Sequence, residues 1–178
     1  MKTISKLCYV SILLGLTLSS AFGQKEANED LIPGIFDRYE DKTGVESITI
    51  SPSLLMTLKS NKTNDKKTLD LVSKISGLRV LNINNSADKD NVREALLAEL
   101  KTAVKKGYEQ IMTIKESGER LELHLRIVTD RNDSKQASAL LFITSGNDSV
   151  TVLLLSGNID KSVIDAVVNG EISISKKK

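Results

Sequence analysis

The stretch Ala139–Ile159, "ALLFITSGNDSVTVLLLSGNI", decides how this chain is read. Two apolar runs flank "SGND", a turn composition, so the segment reads as a β-hairpin. Strand side chains alternate between the two faces of a sheet, and a sheet lying on one core shows one oily face and one wet face. Here both are oily. One face carries Ala139, Leu141, Ile143, Val150, Val152 and Leu154; its reverse carries Leu140, Phe142, Leu153 and Leu155. The reverse set is either roofed by another element, the terminal helix or the N-terminal segment, or left exposed as an interaction surface. The sequence leaves both readings open. Leu140, Phe142, Leu153 and Leu155 are therefore the candidate interaction patch, for a protein partner or for a second copy in a homodimer.

Working outward, "RLELHLRIV" alternates Leu121, Leu123, Leu125 and Ile127 against Glu122, His124 and Arg126. The leucine side should meet helices. The polar side reads as open to water, with His124 solvent-facing. "YEQIMTIK" precedes it, and the turns "ESGE", "TDRNDSKQ" and "SGND" link four strands without an intervening helix, an antiparallel meander.

Upstream, helices and strands interleave. "EDLIPGIFDRYEDKTG" spaces Ile32, Ile35, Phe36 and Tyr39 for a helix that Gly44 can end. "VESITIS" is a short β-branched strand, after which Ser51 can cap a helix with Pro52 at its first position. "TLDLVSKISG" aligns Leu69, Val72 and Ile75 on a helical face before Gly77, and "LRVLNIN" reads as a strand. "DNVREALLAELKTAVKKG" is the clearest helix, with Val92, Leu96, Leu100 and Ala103/Val104 as its stripe and Lys105 and Lys106 at its C-terminal end. "DKSVIDAVVNG" predicts the closing helix. The order α-β-α-α-β-α-β-β-β-β-α implies an α+β fold. The expected form is a two-layer sandwich, one mixed sheet of about six strands with helices mainly on one face.

Residues 1–23, "MKTISKLCYVSILLGLTLSSAFG", have the pattern of a secretory signal peptide: Lys2 and Lys6, an uncharged apolar run, then Ala21 and Gly23 before Gln24. The run is short for a spanning helix. Cys8 precedes most of that run, so it is not placed for lipid attachment. The expectation is an exported chain, periplasmic or secreted, starting at Gln24, without a lipid anchor or a transmembrane segment after cleavage. Residues 24–178 then form a single α+β domain with a loose tail over 172–178. Lys2 and Lys6 leave with the signal, so 23 basic residues face 23 acidic ones. That balance gives nucleic acid no electrostatic reason to bind. Cys8, the chain's one cysteine, leaves too, and with it any disulfide.

The chemistry-bearing residue types are sparse. With one histidine and no mature cysteine, a zinc site is not expected, and "TDRND" and "NNSADKD" lack EF-hand spacing. His124 is the one conventional general base near neutral pH, flanked on its face by Glu122 and Arg126. A hydrolase would need a nucleophile beside it, and no "GxSxG" elbow is present. The glycines of "SGNDS" and "LSGNID" match neither phosphate-loop pattern, and the lack of Trp argues against a stacking platform. Asn61, Asn84, Asn132 and Asn147 lie in N-x-S/T triplets, which take glycans only in a host with that machinery. No catalytic residue, cofactor or metal is assigned.

"FDRYEDKTGVESITISPSLL", "ISGLRVLNI", "YEQIMTIKESGERLELHLR" and "LLFITSGNDSVTVLLLSGNID" resemble, in that order, the bacterial family described as domain of unknown function 4252. The resemblance spans about Asp30 to Val168. It implies a small exported or lipid-anchored envelope protein without an established activity, and it carries over no site residues. It also implies an envelope-stress sensing component as one reading, since some members are encoded near sigma-factor regulators. This chain departs from lipid-anchored members in lacking their cysteine. The residues themselves favour a non-catalytic binding or interaction module; the alternative is a small hydrolase-type enzyme using His124.

Overall fold

The computed structural model describes residues 29–61, 66–84, 91–129 and 134–168. The signal-peptide pattern, Gln24, the 172–178 tail and most of "TDRND" and "NNSADKD" lie outside them. In chain order the elements are α1 (Leu31–Tyr39), β1 (Val45–Ile50), α2 (Pro52–Asn61), α3 (Lys66–Lys74), β2 (Ile75–Asn84), α4 (Val92–Val104), β3 (Tyr108–Glu116), β4 (Glu119–Thr129), β5 (Lys135–Ser145), β6 (Ser149–Gly157) and α5 (Lys161–Val168). The six strands form one sheet in the order β1-β2-β6-β5-β4-β3. The fold is α+β, and β3 to β6 are the expected antiparallel meander.

Local chemistry places the boundaries. Asp30 caps α1, its carboxylate accepting from Ile32 N at 3.1 Å. Ser51 Oγ accepts from Leu54 N at 3.3 Å, which starts α2 with Pro52 in its first turn. The β3–β4 turn puts Ser117 at φ 49° and Gly118 at φ 86°, both left-handed, the twist that matches a two-residue hairpin. Gly157 ends β6 at φ 144°, and a Cβ there would lie 2.1 Å from Lys74 O, so only glycine lets β6 close against the start of β2. That closure also revises the third helix. It stops at Lys74, and Ile75 opens a strand in register with Gly157, because the ladder to β6 outcompetes one more helical residue. Among the described side chains of α3, Leu71 is the buried one.

The sheet is antiparallel throughout rather than mixed. One helix between β1 and β2 would return the chain parallel; two helix passes, α2 and α3, return it antiparallel. Among the described residues, the connection through α4 carries the chain to the far edge, where β3 pairs with β4 alone.

Helices lie on both faces, not mainly on one. α1 and α4 cover the face of Leu81, Ile83, Leu141, Ile143, Val150, Val152 and Leu154 with Ile32, Ile35, Phe36, Leu96 and Leu100. The reverse face holds Leu78, Val80, Leu123, Leu140, Leu153 and Leu155 under Leu71 of α3 and Val163 and Ala166 of α5. This answers the question set by the hairpin. Leu140, Leu153 and Leu155 are buried and Phe142 is half-buried beneath the chain's own helices, so the candidate interaction patch is interior. Each such side chain contributes about 1.5–3 kcal/mol when fully buried, which is why the terminal helix closes down rather than leaving them wet.

Candidate functional site

The register across the meander builds the site. His124 stands opposite Leu141 on one side and Gln110 on the other; Glu122 stands between Ile143 and Thr113; Arg120 stands between Ser145 and Lys115. All of these share the face that α1 and α4 cover. On β2, β6 and β5 that face is apolar, and the helices sit on it. On β4 and β3 it turns polar. α4 therefore rests at the margin of the apolar area, and the polar β3–β4 wing extends past it.

The space between them is a half-open cleft of about 410 Å³. Leu97, Leu100, Lys101, Val104 and Lys105 form its helical wall, at the spacing that brings side chains onto one helix face. Its floor is Ile143, Ser145, Arg120, Glu122 and His124, and Tyr108 and Gln110 close the β3 side. The volume lies in the usual range for small-molecule sites, about 300–1,000 Å³.

His124 corrects the sequence reading. It is 4% exposed, not solvent-facing, because the face expected to be open to water is roofed by α4 at this point. Its Nε2 lies 3.3 Å from Glu122 Oε2, and Glu122 is ion-paired in turn with Arg120. Arg120, Glu122 and His124 form a polar row along alternate positions of β4. A ring nitrogen that carries a proton donates to a carboxylate, which accepts, so the His124–Glu122 contact is a hydrogen bond when Nε2 is the protonated nitrogen.

Arg126, the third residue of the expected polar face, takes a different role. Its Nη1 lies 2.6 Å from Asp30 Oδ2, and the Tyr108 hydroxyl donates to both Asp30 oxygens at 3.1 Å. Asp30 thus caps α1 and ties it to β3 and β4. Burial, followed by the Asp30 charge, pushes the Tyr108 phenol well above its ordinary range. A second knot joins the two helices: Tyr39 Oη donates to Glu99 Oε1 at 3.0 Å while Arg38 pairs with the same carboxylate. Burial and that hydrogen bond push Tyr39 up to about 12. The Arg38 hydrogen bond holds Glu99 below the usual carboxylate range.

Glu122 and His124 are thus brought together in a cleft, whereas Arg126 serves the α1 anchor. The residues that sequence reading missed are Leu97, Lys101, Lys105, Gln110 and Arg120. Leu97, Lys101 and Lys105 recur every fourth residue beside the apolar stripe of α4, a signal that only a facing polar strand makes meaningful. For acyl or phosphoryl chemistry the hydroxyls are poorly placed. Ser145 pairs with Arg120, four residues along β5 from the partner of His124, or about 13 Å along a strand. Thr113 Oγ1 accepts from Gln110 Nε2 at 2.6 Å, and Tyr108 is engaged with Asp30. The cleft is suited to holding a molecule with both an apolar and a polar side.

These features describe an antiparallel α+β protein with a side cleft. The chain belongs to the family described as "Domain of unknown function (DUF4252)", whose family model matches residues 39–167. No curated protein matches it. Among solved structures it is similar to the crystal structure of a protein of unknown function, PA94 from Pseudomonas aeruginosa. That likeness has a TM-score of 0.33 and 8% identity, and covers 77% of this chain and 85% of the other.

Proposed function

We propose that this is an exported envelope protein that works as a non-catalytic binding module, and that its ligand enters the cleft between α4 and the β3–β4 wing. The observation that carries the reading is a histidine buried to 4% exposure, held by Glu122, in the floor of a half-open cleft with an apolar helical wall. A buried polar side chain costs stability unless it is bonded or used, and this one is bonded on one nitrogen and faces the cleft. The interaction surface expected on the hairpin reverse face is occupied by α3 and α5, which moves the binding role from that face to the cleft. A small hydrolase using His124 is the weaker reading, because Ser145 lies too far along β5.

Native mass spectrometry of the protein purified from its own envelope tests this. A small molecule bound one to one is expected, and it should be lost from Leu97→Trp, which fills the cleft from its helical wall. An adduct that survives Leu97→Trp, or turnover of an ester or amide that His124→Ala abolishes, would refute it. The same spectrum reports export: the mature mass should begin at Gln24 and carry no lipid.

A further inference from the structure

We infer that the cleft takes an amphiphilic organic anion, its acidic head at the basic mouth and its apolar body along α4. This rests on the reading of the cleft as the binding site and names the chemistry of what occupies it. Lys101, Lys105 and Arg120 bring three positive charges to the lining, and Glu122 is the one acidic residue there. Glu122 is already paired with Arg120, so among the described residues the two lysines are the uncompensated charge of the cleft.

A helix C-terminus welcomes cations, and that alone would account for lysines at the end of α4. It does not account for their placement. Lys101 and Lys105 are four residues apart on one face, an arrangement that costs a helix stability through like-charge repulsion. They share the cleft lining with Arg120, which comes from a strand and owes nothing to the helix dipole. Net positive charge beside a concavity raises the local concentration of anions. The rest of the lining sets the second half of the ligand. Leu97, Leu100, Val104 and Ile143 give an apolar body its surface, and His124 and Gln110 offer polar contacts beside the head. A sugar would want stacking aromatics, and the aromatic of the lining, Tyr108, has its hydroxyl committed to Asp30. A cation would meet the wrong sign.

His124 is the chain's single histidine, so its imidazole proton resonance reports the cleft without any substitution. The test titrates the exported protein with decanoate, decyl phosphate and decanol, following heat and the His124 resonance together. Decanoate or decyl phosphate should bind at least about tenfold more tightly than decanol and shift His124. Lys101→Gln and Lys105→Gln should each weaken the anion by about two- to fivefold, as expected for exposed charges, with thermal melting unchanged or slightly raised as the like-charge repulsion is relieved. Decanol binding as tightly as the anions, with the His124 shift, would sink the anionic assignment and leave the cleft a binding site. Anion binding without a His124 shift would place the anion elsewhere and overturn the inference. Binding of none of the three up to about 1 mM would also overturn it, and the native adduct experiment then judges the cleft by itself.

Discussion

The two faces of the sheet are made by the same strands and end differently. On the reverse face, apolar side chains continue through the middle strands: Val80, Leu153, Phe142 and Leu123 form one cross-strand row, with Ile48 and Met112 at its ends. α3 and α5 close over the centre of that row, leaving Ile48 exposed on one edge strand and, two residues from Met112 on the other, Ile114. On the opposite face the corresponding row begins apolar at Leu81, Val152 and Ile143, then turns polar at Glu122 and Thr113. A helix gains nothing by lying on charged residues, so α4 stops at the boundary. One face becomes a dry core and the other a core with a cleft beside it. A single change of residue class across a β-ladder is enough to make the difference.

The sharpest way to break this contrast is to charge the dry face. Leu153→Glu places an uncompensated carboxylate under α5, and the chain should lose its cooperative thermal unfolding altogether. A folded Leu153→Glu protein would mean that α5 does not cover the row. Next in size is the anchor on the cleft face. Asp30→Ala removes the α1 cap and leaves Tyr108 and Arg126 without their carboxylate, a loss of about 2–3 kcal/mol by denaturant titration.

The cleft itself should be cheaper to alter than the core. His124→Ala is expected to cost about 1–2 kcal/mol, from lost packing and the lost Glu122 contact, while the opened space remains accessible to water. A change below about 0.5 kcal/mol would indicate a solvent-facing ring. The smallest effect is a titration. Tyr39 is raised from 10.0 to about 12, so its neutral form stabilises the fold fully below its unfolded value. That contribution fades as pH rises through the window from 10.0 to about 12, as α1 loosens from α4. Tyr39→Phe should flatten the Tyr39 part of the alkaline decline in melting temperature; an unchanged profile would remove Tyr39 from the α1–α4 contact.

Much of the fold was legible in particular residues. The stripe Val92, Leu96, Leu100, Ala103/Val104 marked α4, and "ESGE" and "SGND" marked the meander turns, because helical and strand periodicities and left-handed turn residues are local properties. The candidate site was half legible. Glu122, His124 and Arg126 do share a face, as alternation requires. Their burial and partners were not legible. Asp30 reaches Tyr108 and Arg126 across 78 and 96 positions of chain, a proximity that no local pattern encodes.

The sequence by itself determined the order of elements, the two-sided oiliness of the hairpin and the sharing of one strand face by Glu122, His124 and Arg126. Each follows from steric periodicity within a few residues. Only the tertiary structure decided which helices roof which face, that every strand pair runs antiparallel, and that His124 lies beneath α4 rather than in water. Those outcomes depend on cross-strand register and on where a helix finds apolar area to cover. Both are set by contacts between segments far apart in the chain, and a local pattern is equally compatible with either side of the sheet.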